Sequence, residues 1–146
     1  MVKYHTTKLR VAILPSEVTS NLIPVIHSKL NKKIETYSPQ HKYYIKTIEN
    51  VTIPQYGFTS RANFVLSFDV SCTIGHLKPI VGDAISAVLH NKNQYGIFLT
   101  NEYARIIVPK SQYSETMQFE IGNEYNLRVV ETRYNTNGIS CICSVL

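Results

Sequence analysis

The chain has 146 residues, of which 44% are hydrophobic, and a net charge of +5 at pH 7. That length suits one domain or two modules of about 75 residues, a size at which a single hydrophobic core is marginal. No window approaches the run of about 18 apolar residues that a membrane span needs, and the N-terminal residues lack the apolar core of a signal peptide. Composition thus argues against helical membrane proteins and secreted proteins, and predicts a soluble intracellular protein.

The first predicted elements are a strand over residues 9–15 and an amphipathic helix. Apolar residues recur at intervals of three to four in the helical segment: Val18, Leu22, Ile26, Leu30, Ile34 and Tyr37. Because Pro24 is tolerated only near a first turn or at a kink, the regular helix is predicted over about residues 20–35. The candidate N-cap residues are Ser16, Thr19 and Ser20.

Two extended segments follow, over residues 43–51 and 62–74. In the second, apolar and polar residues alternate, which predicts one core face and one polar face. The predicted core face holds Phe64, Leu66, Phe68, Val70 and Cys72.

A second module begins after residues 77–83. Ile85, Ala87 and Leu89 fall on one face of an extended run, residues 91–93 predict a turn, and residues 95–99 predict the next strand. A glycine inside a strand is typical of a bulge, and a bulge at Gly96 would bring Tyr95 and Phe98 to one outer face. Two such rings would form a platform for base stacking.

Residues 82–83, 95–99 and 107–111 resemble the S1 type of OB-fold domain. In that family the aromatics flanking the glycine contact RNA, which implies the same role for Tyr95 and Phe98. In that family a further RNA contact lies just before a serine, which corresponds to Ser111 here. This chain has Pro109 and Lys110 at those positions. Because proline neither stacks like an aromatic ring nor donates a hydrogen bond, the resemblance implies a weakened RNA site that retains Lys110.

The last two strands are predicted over residues 126–132 and 139–145, joined by a loop over residues 133–138 whose Asn137-Gly138 is a turn signal. Arg133 and Tyr134 then lie in that loop, a usual place for OB-fold ligand contacts.

The order of strand, helix, strands and S1-like barrel resembles the stalk subunit of multisubunit RNA polymerases. That family includes the seventh subunit of eukaryotic RNA polymerase II, the archaeal E subunit and compact forms in large cytoplasmic DNA viruses, which this chain most resembles. The resemblance covers about residues 9–144. It implies an α+β fold, with a strand-helix-strand tip module over residues 1–76 and a five-stranded S1-like OB barrel over residues 77–146.

The family also implies a function without catalysis. The tip module would dock on the largest subunits of the polymerase core, and the barrel would contact nascent single-stranded RNA. Whether a small stalk partner subunit is present stays open, as does viral or cellular origin. A viral protein would lie in the host cytoplasm and the virion, and a cellular one in the nucleus.

The docking candidates lie on a Pro/Gly-containing loop and are Gln55, Tyr56, Gly57 and Phe58. An exposed aromatic pair there would anchor an interface. In the alternative interpretation, Tyr56 and Phe58 fold back over their own core.

Charge is unevenly distributed between the two modules. Residues 1–76 hold nine lysine and arginine residues against four acidic ones, a net charge of +5, whereas residues 77–146 hold six of each. A neutral barrel predicts weak, salt-sensitive RNA contact. The lysines of the tip module are either a solvated helix face or a surface that meets nucleic acid or an acidic part of the polymerase.

No catalytic motif, paired carboxylates or phosphate-binding loop is present in the sequence, so we expect neither an active site nor a cofactor. Cys72, Cys141 and Cys143 form no even disulfide framework and lack the four ligands of a zinc site, which favours buried thiols and no metal. The alternative function, from a different class, is a free-standing S1/OB protein that binds single-stranded RNA.

Overall fold

The computed structural model describes residues 2–60, 64–114 and 116–146. The fold is mostly β with one α-helix: an N-terminal antiparallel sheet with a helix, and a C-terminal closed barrel of five strands. This confirms the predicted fold class. The chain divides into two compact units, the first formed by Met1–Thr36 and Ile45–Leu77 and the second by Tyr37–Tyr44 and Lys78–Leu146.

The N-terminal sheet contains β1 (Lys3–Ile13), β2 (Thr36–Ser38), β3 (Tyr43–Thr52), β4 (Phe58–Thr59) and β5 (Leu66–Leu77). The strand order is β1-β5-β3-β2, and β4 also pairs with β5. β1 runs antiparallel to β5 along its whole length, with Leu9 opposite Val70.

The alternation predicted for the second extended segment is confirmed within β5. Phe68, Val70 and Cys72 are buried, as are Leu9 and the other core residues of β1, whereas the intervening residues of β5 are mostly half-buried. Phe64 was wrongly assigned to the core face. It precedes β5 with a left-handed φ of 57°, which breaks the alternation, and its side chain is 77% exposed. Residues 62–63 of the predicted segment lie outside the described residues.

The helix is shorter than predicted. A 3-10 turn covers Pro15–Glu17, and the α-helix α1 covers Ile23–Asn31, with Pro24 in its first turn and with Ile26 and Leu30 buried. None of the three candidate caps serves α1; its N-cap is Leu22, and the Asn21 side chain accepts a hydrogen bond from the Ile23 amide at 3.2 Å. The predicted helix was too long because apolar residues keep the helical spacing in the flanking segments, which are not helical.

The barrel contains β6 (Ala84–Asn93), β7 (Gly96–Thr100), β8 (Ala104–Pro109), β9 (Glu124–Asn135) and β10 (Gly138–Val145). Its closed order is β10-β8-β7-β6-β9. β6, β7 and β8 form an antiparallel meander, β9 returns to pair with β6, and β10 closes the barrel by pairing antiparallel with β9 and parallel with β8. This pairing is that of an OB-like barrel.

The barrel interior is built by alternation, as predicted for Ile85, Ala87 and Leu89, all of which are buried. Cys141 and Cys143 are also buried, on β10. Burial raises the pKa of the Cys141 thiol to about 11 and that of Cys143 to about 12, which keeps both thiols protonated near neutral pH.

Three local predictions in the barrel were wrong. β6 continues through Asn93, so the turn lies at residues 94–95 rather than 91–93. The register shift falls between Leu89 and Asn91 on β6, not at Gly96. The long β9 also includes Arg133 and Tyr134, because its pairing with β10 extends to Asn135 opposite Gly138 and leaves only a two-residue turn.

Candidate nucleic-acid interface

The outer face of β7 and β8 presents Phe98. Ile97 and Leu99 point into the barrel, so the alternate residue Phe98 lies on the outside, where it pairs with Ile107. Phe98 is half-buried and Ile107 is exposed, which makes a small apolar strip on this face. The strip offers a ring and an aliphatic side chain to an unpaired base.

Tyr95 lies in the turn between β6 and β7 and is 72% exposed. Its backbone is held on both sides: its amide donates to Oδ1 of Asn93 at 2.8 Å, and its carbonyl accepts from the Lys110 amide at 3.1 Å. The structure therefore brings Tyr95 and Lys110 to the same end of the barrel.

Gly96 allows this arrangement through a close backbone approach instead of a bulge. It pairs with Pro109, has a φ of 154°, and a Cβ at this position would meet the carbonyl oxygen of Val108. Only glycine fits here without moving β7 away from β8.

Lys110 is exposed at the start of a 3-10 turn, Lys110–Gln112, and borders a cavity of about 910 Å³. Lys92 of β6 lines the same cavity, and its Nζ donates to the carbonyl of Phe119 at 3.1 Å. Lys92, Tyr113 and Phe119 are not among the site residues predicted from the sequence. The sequence signal for Tyr113 and Phe119 is the aromatic content of the segment after Lys110, which has no regular periodicity.

Arg133 and Tyr134 lie elsewhere on the barrel. Tyr134 pairs with Ile139, which pairs with Ala104 at the beginning of β8, whereas Lys110 directly follows the end of β8. The six residues of β8, about 17 Å from the first Cα to the last, separate these two ends. The five predicted RNA contacts therefore form two groups rather than one site.

The Tyr134 side chain already has partners. Its hydroxyl donates to the Pro79 carbonyl at 2.6 Å, and Nζ of Lys78 lies 5.0 Å from its ring centroid. A ring held by a hydrogen bond and covered by a cation is a poor platform for a base. Arg133 has a largely exposed side chain, and its Nε lies 3.6 Å from the Glu131 carboxylate.

Of the docking candidates, Gln55, Tyr56 and Gly57 lie between β3 and β4, and Phe58 is the first residue of β4. Tyr56 is 80% exposed and Phe58 is 44% exposed, so neither ring is buried in its own core. The Arg10 guanidinium lies 4.7 Å from the centroid of the Phe58 ring. Gly57 is required because a Cβ there would lie 2.6 Å from the Ser67 carbonyl oxygen. Gln55 is an exposed residue of the same loop.

Among the described residues, no group of three His, Cys, Asp or Glu side chains is arranged to hold a metal ion. None of their helices has the length and apolar character needed to cross a bilayer.

No family model matches this chain, and a search of curated proteins finds no match either. What is established is an OB-like barrel of five strands that follows an N-terminal sheet.

Proposed function

We propose that this protein is a noncatalytic stalk subunit of a multisubunit DNA-directed RNA polymerase, most like the compact forms of large cytoplasmic DNA viruses. It docks on the largest subunits of the polymerase core through its N-terminal module and contacts nascent single-stranded RNA weakly through its barrel.

The observation that carries this proposal is the order of the modules. A sheet backed by a helix precedes a barrel in which β6 pairs with β9 and β10 pairs in parallel with β8. This is the order of parts on which the family resemblance was based. OB barrels use the face of their second and third strands for oligonucleotides, and here that face carries Phe98 and Ile107.

Docking is assigned to residues 55–58, the loop before β4 and its first residue, because they expose two aromatic rings next to a basic side chain. Tyr56 and Phe58 are large and lie at the surface, and Arg10 covers one side of the Phe58 ring. Aromatic and arginine side chains are the residues that most often supply interface energy. The Nε of Arg10 also lies 3.1 Å from Oδ1 of Asp69, and this ion pair holds the guanidinium in place.

Weak RNA contact follows from charge. The barrel segment, residues 77–146, has equal numbers of basic and acidic residues. Because counterion release from phosphates supplies most nonspecific affinity, a barrel without excess positive charge binds RNA weakly on its own. A subunit anchored beside the emerging transcript does not need a higher affinity for RNA, since tethering raises the effective concentration of the RNA to about the millimolar range.

A salt titration tests this assignment. Single-stranded RNA is titrated with the purified full chain at low and near-physiological salt, and binding is followed by fluorescence anisotropy. The proposal predicts weak binding that disappears at near-physiological salt. High affinity at that salt would contradict it and favour a free-standing RNA-binding protein, because such a protein must supply all of its own affinity.

A further inference from the structure

The cavity beside Lys110 lies outside the face of β7 and β8 and combines basic and aromatic side chains. It has a volume of about 910 Å³. We call it the lysine cavity; its lining includes Lys92, Lys110, Ser111, Tyr113, Phe119 and Glu120. Ligand sites commonly occupy about 300–1,000 Å³, so there is room for a nucleotide with its base, sugar and phosphate.

The two lysines come from separate elements and converge on this cavity. Lys92 is at the end of β6, and its bond to the Phe119 carbonyl fixes the ammonium while leaving other N–H groups to donate. Lys110 is exposed to solvent. The Ser111 hydroxyl adds a further donor to the same lining.

The charged side chains in the described part of the lining favour a ligand with little negative charge. Two lysines line the cavity together with one carboxylate, Glu120. A phosphodiester carries a single negative charge and therefore meets less repulsion from that carboxylate than a terminal phosphate or a triphosphate would.

The aromatic side of the cavity is closely packed at its base and exposed to solvent at its rim. Phe119 is buried and contacts Tyr113 edge-to-face, with ring centroids 5.0 Å apart. It also contacts Tyr125 at 5.2 Å, and the Tyr125 hydroxyl accepts from the Glu120 amide at 2.8 Å. These contacts join Tyr113, Phe119 and Tyr125, while the half-buried Tyr113 and the exposed Met117 remain for a base to cover.

We propose that the lysine cavity binds one unpaired nucleotide within a single-stranded RNA, with its phosphodiester between Lys92 and Lys110 and its base against Tyr113. This rests on the RNA contact in the proposed function and adds a specific subsite to it. Tyr95 is bonded through its carbonyl to the Lys110 amide, so the strand leaves the cavity next to Tyr95 and continues toward Phe98.

The test measures binding of a fluorescein-labelled ten-nucleotide RNA to the full chain over a range of salt concentrations. The variant Lys92→Gln/Lys110→Gln removes the two cations, and Arg128→Gln removes an exposed cation of β9, away from the cavity lining, as the control. The double variant is expected to reduce the magnitude of the slope of log K against log salt by about 1.4, since each single-strand phosphate contact contributes about 0.7. The control is expected to leave the slope unchanged.

A second variant separates the base contact from charge. Tyr113→Leu keeps apolar bulk in the loop and should weaken RNA binding at least about fivefold without changing the salt slope. Far-UV circular dichroism and an unchanged unfolding midpoint confirm that each variant folds.

Three results would overturn this inference, and they have different consequences. If wild type binds RNA and the double variant binds it equally well with the same salt slope, the cavity is not the subsite, and the proposed function stands. If uridine monophosphate binds more tightly than the RNA, the ligand is a free nucleotide. If wild type binds no RNA even at low salt, the RNA contact of the proposed function fails as well.

Discussion

Replacing Gly96 with alanine tests the close approach of β7 and β8, on which the position of Tyr95 and Lys110 depends. A Cβ at residue 96 would meet the Val108 carbonyl oxygen and lie 3.0 Å from the Cα of Pro109, both of them backbone atoms. Neither can move without separating the paired strands. Gly96 also has a φ of 154°, which side chains with a Cβ rarely adopt.

Gly82 is the matched control because it shares the positive φ but not the contact. Its φ is 95°, and no atom lies within 4 Å of an added Cβ. Gly82→Ala is therefore expected to cost about 1–2 kcal/mol from backbone strain alone. Gly96→Ala adds steric overlap of about 1–3 kcal/mol, for a total of about 2–5 kcal/mol.

Urea unfolding followed by circular dichroism measures both variants against wild type. The expected order of stability is wild type, then Gly82→Ala, then Gly96→Ala. If Gly96→Ala proved no less stable than Gly82→Ala, the strands would not approach as closely as described, and the argument for a fixed Tyr95 would fail.

Three further predictions concern the barrel. Leu99→Ala removes a side chain with no exposed surface and should lower the free energy of unfolding by about 2–5 kcal/mol in urea titrations. Burial raises the pKa of Cys143 above that of an unfolded thiol, so its contribution to stability is present below about pH 9 and is lost as pH rises toward 12. From about pH 8 to about pH 10.5 wild type should lose about 2 kcal/mol more than Cys143→Ala, and an equal loss in both would contradict this. Tyr95→Ala/Phe98→Ala should weaken low-salt RNA binding by about 1–3 kcal/mol per stacked base, and unchanged affinity would exclude stacking on these rings.

The order of the modules was predicted from the family resemblance, whereas periodicity predicted which faces of the strands are buried. In β5 and β6, apolar residues alternate along the strand, as half-buried strands require. Periodicity failed where neighbouring residues left the regular element. Apolar residues on both sides of α1 keep the helical spacing although they lie outside the helix, and Phe64 keeps the strand spacing although its φ is left-handed.

The candidate site was predicted only in part, because it depends on which strands meet. Tyr95 and Phe98 could be chosen from their spacing around a glycine, and Lys110 from the resemblance to S1 domains. The position of Arg133 and Tyr134 depends on where β9 ends. That end could not be predicted, because β9 continues for several residues beyond its last buried side chain. The contribution of Lys92 could not be predicted, since only the pairing of β6 with β7 brings it to the end of the barrel where Lys110 lies.

The central claim is that this chain is a polymerase subunit, and affinity purification of the tagged full chain from its native cells tests it most directly. The bound proteins are identified and quantified by mass spectrometry after washing at moderate salt. The account predicts recovery of the large catalytic subunits of an RNA polymerase in amounts near those of the tagged chain. Recovery of RNA or ribosomes without polymerase subunits would contradict it and assign the barrel to a free-standing RNA-binding protein.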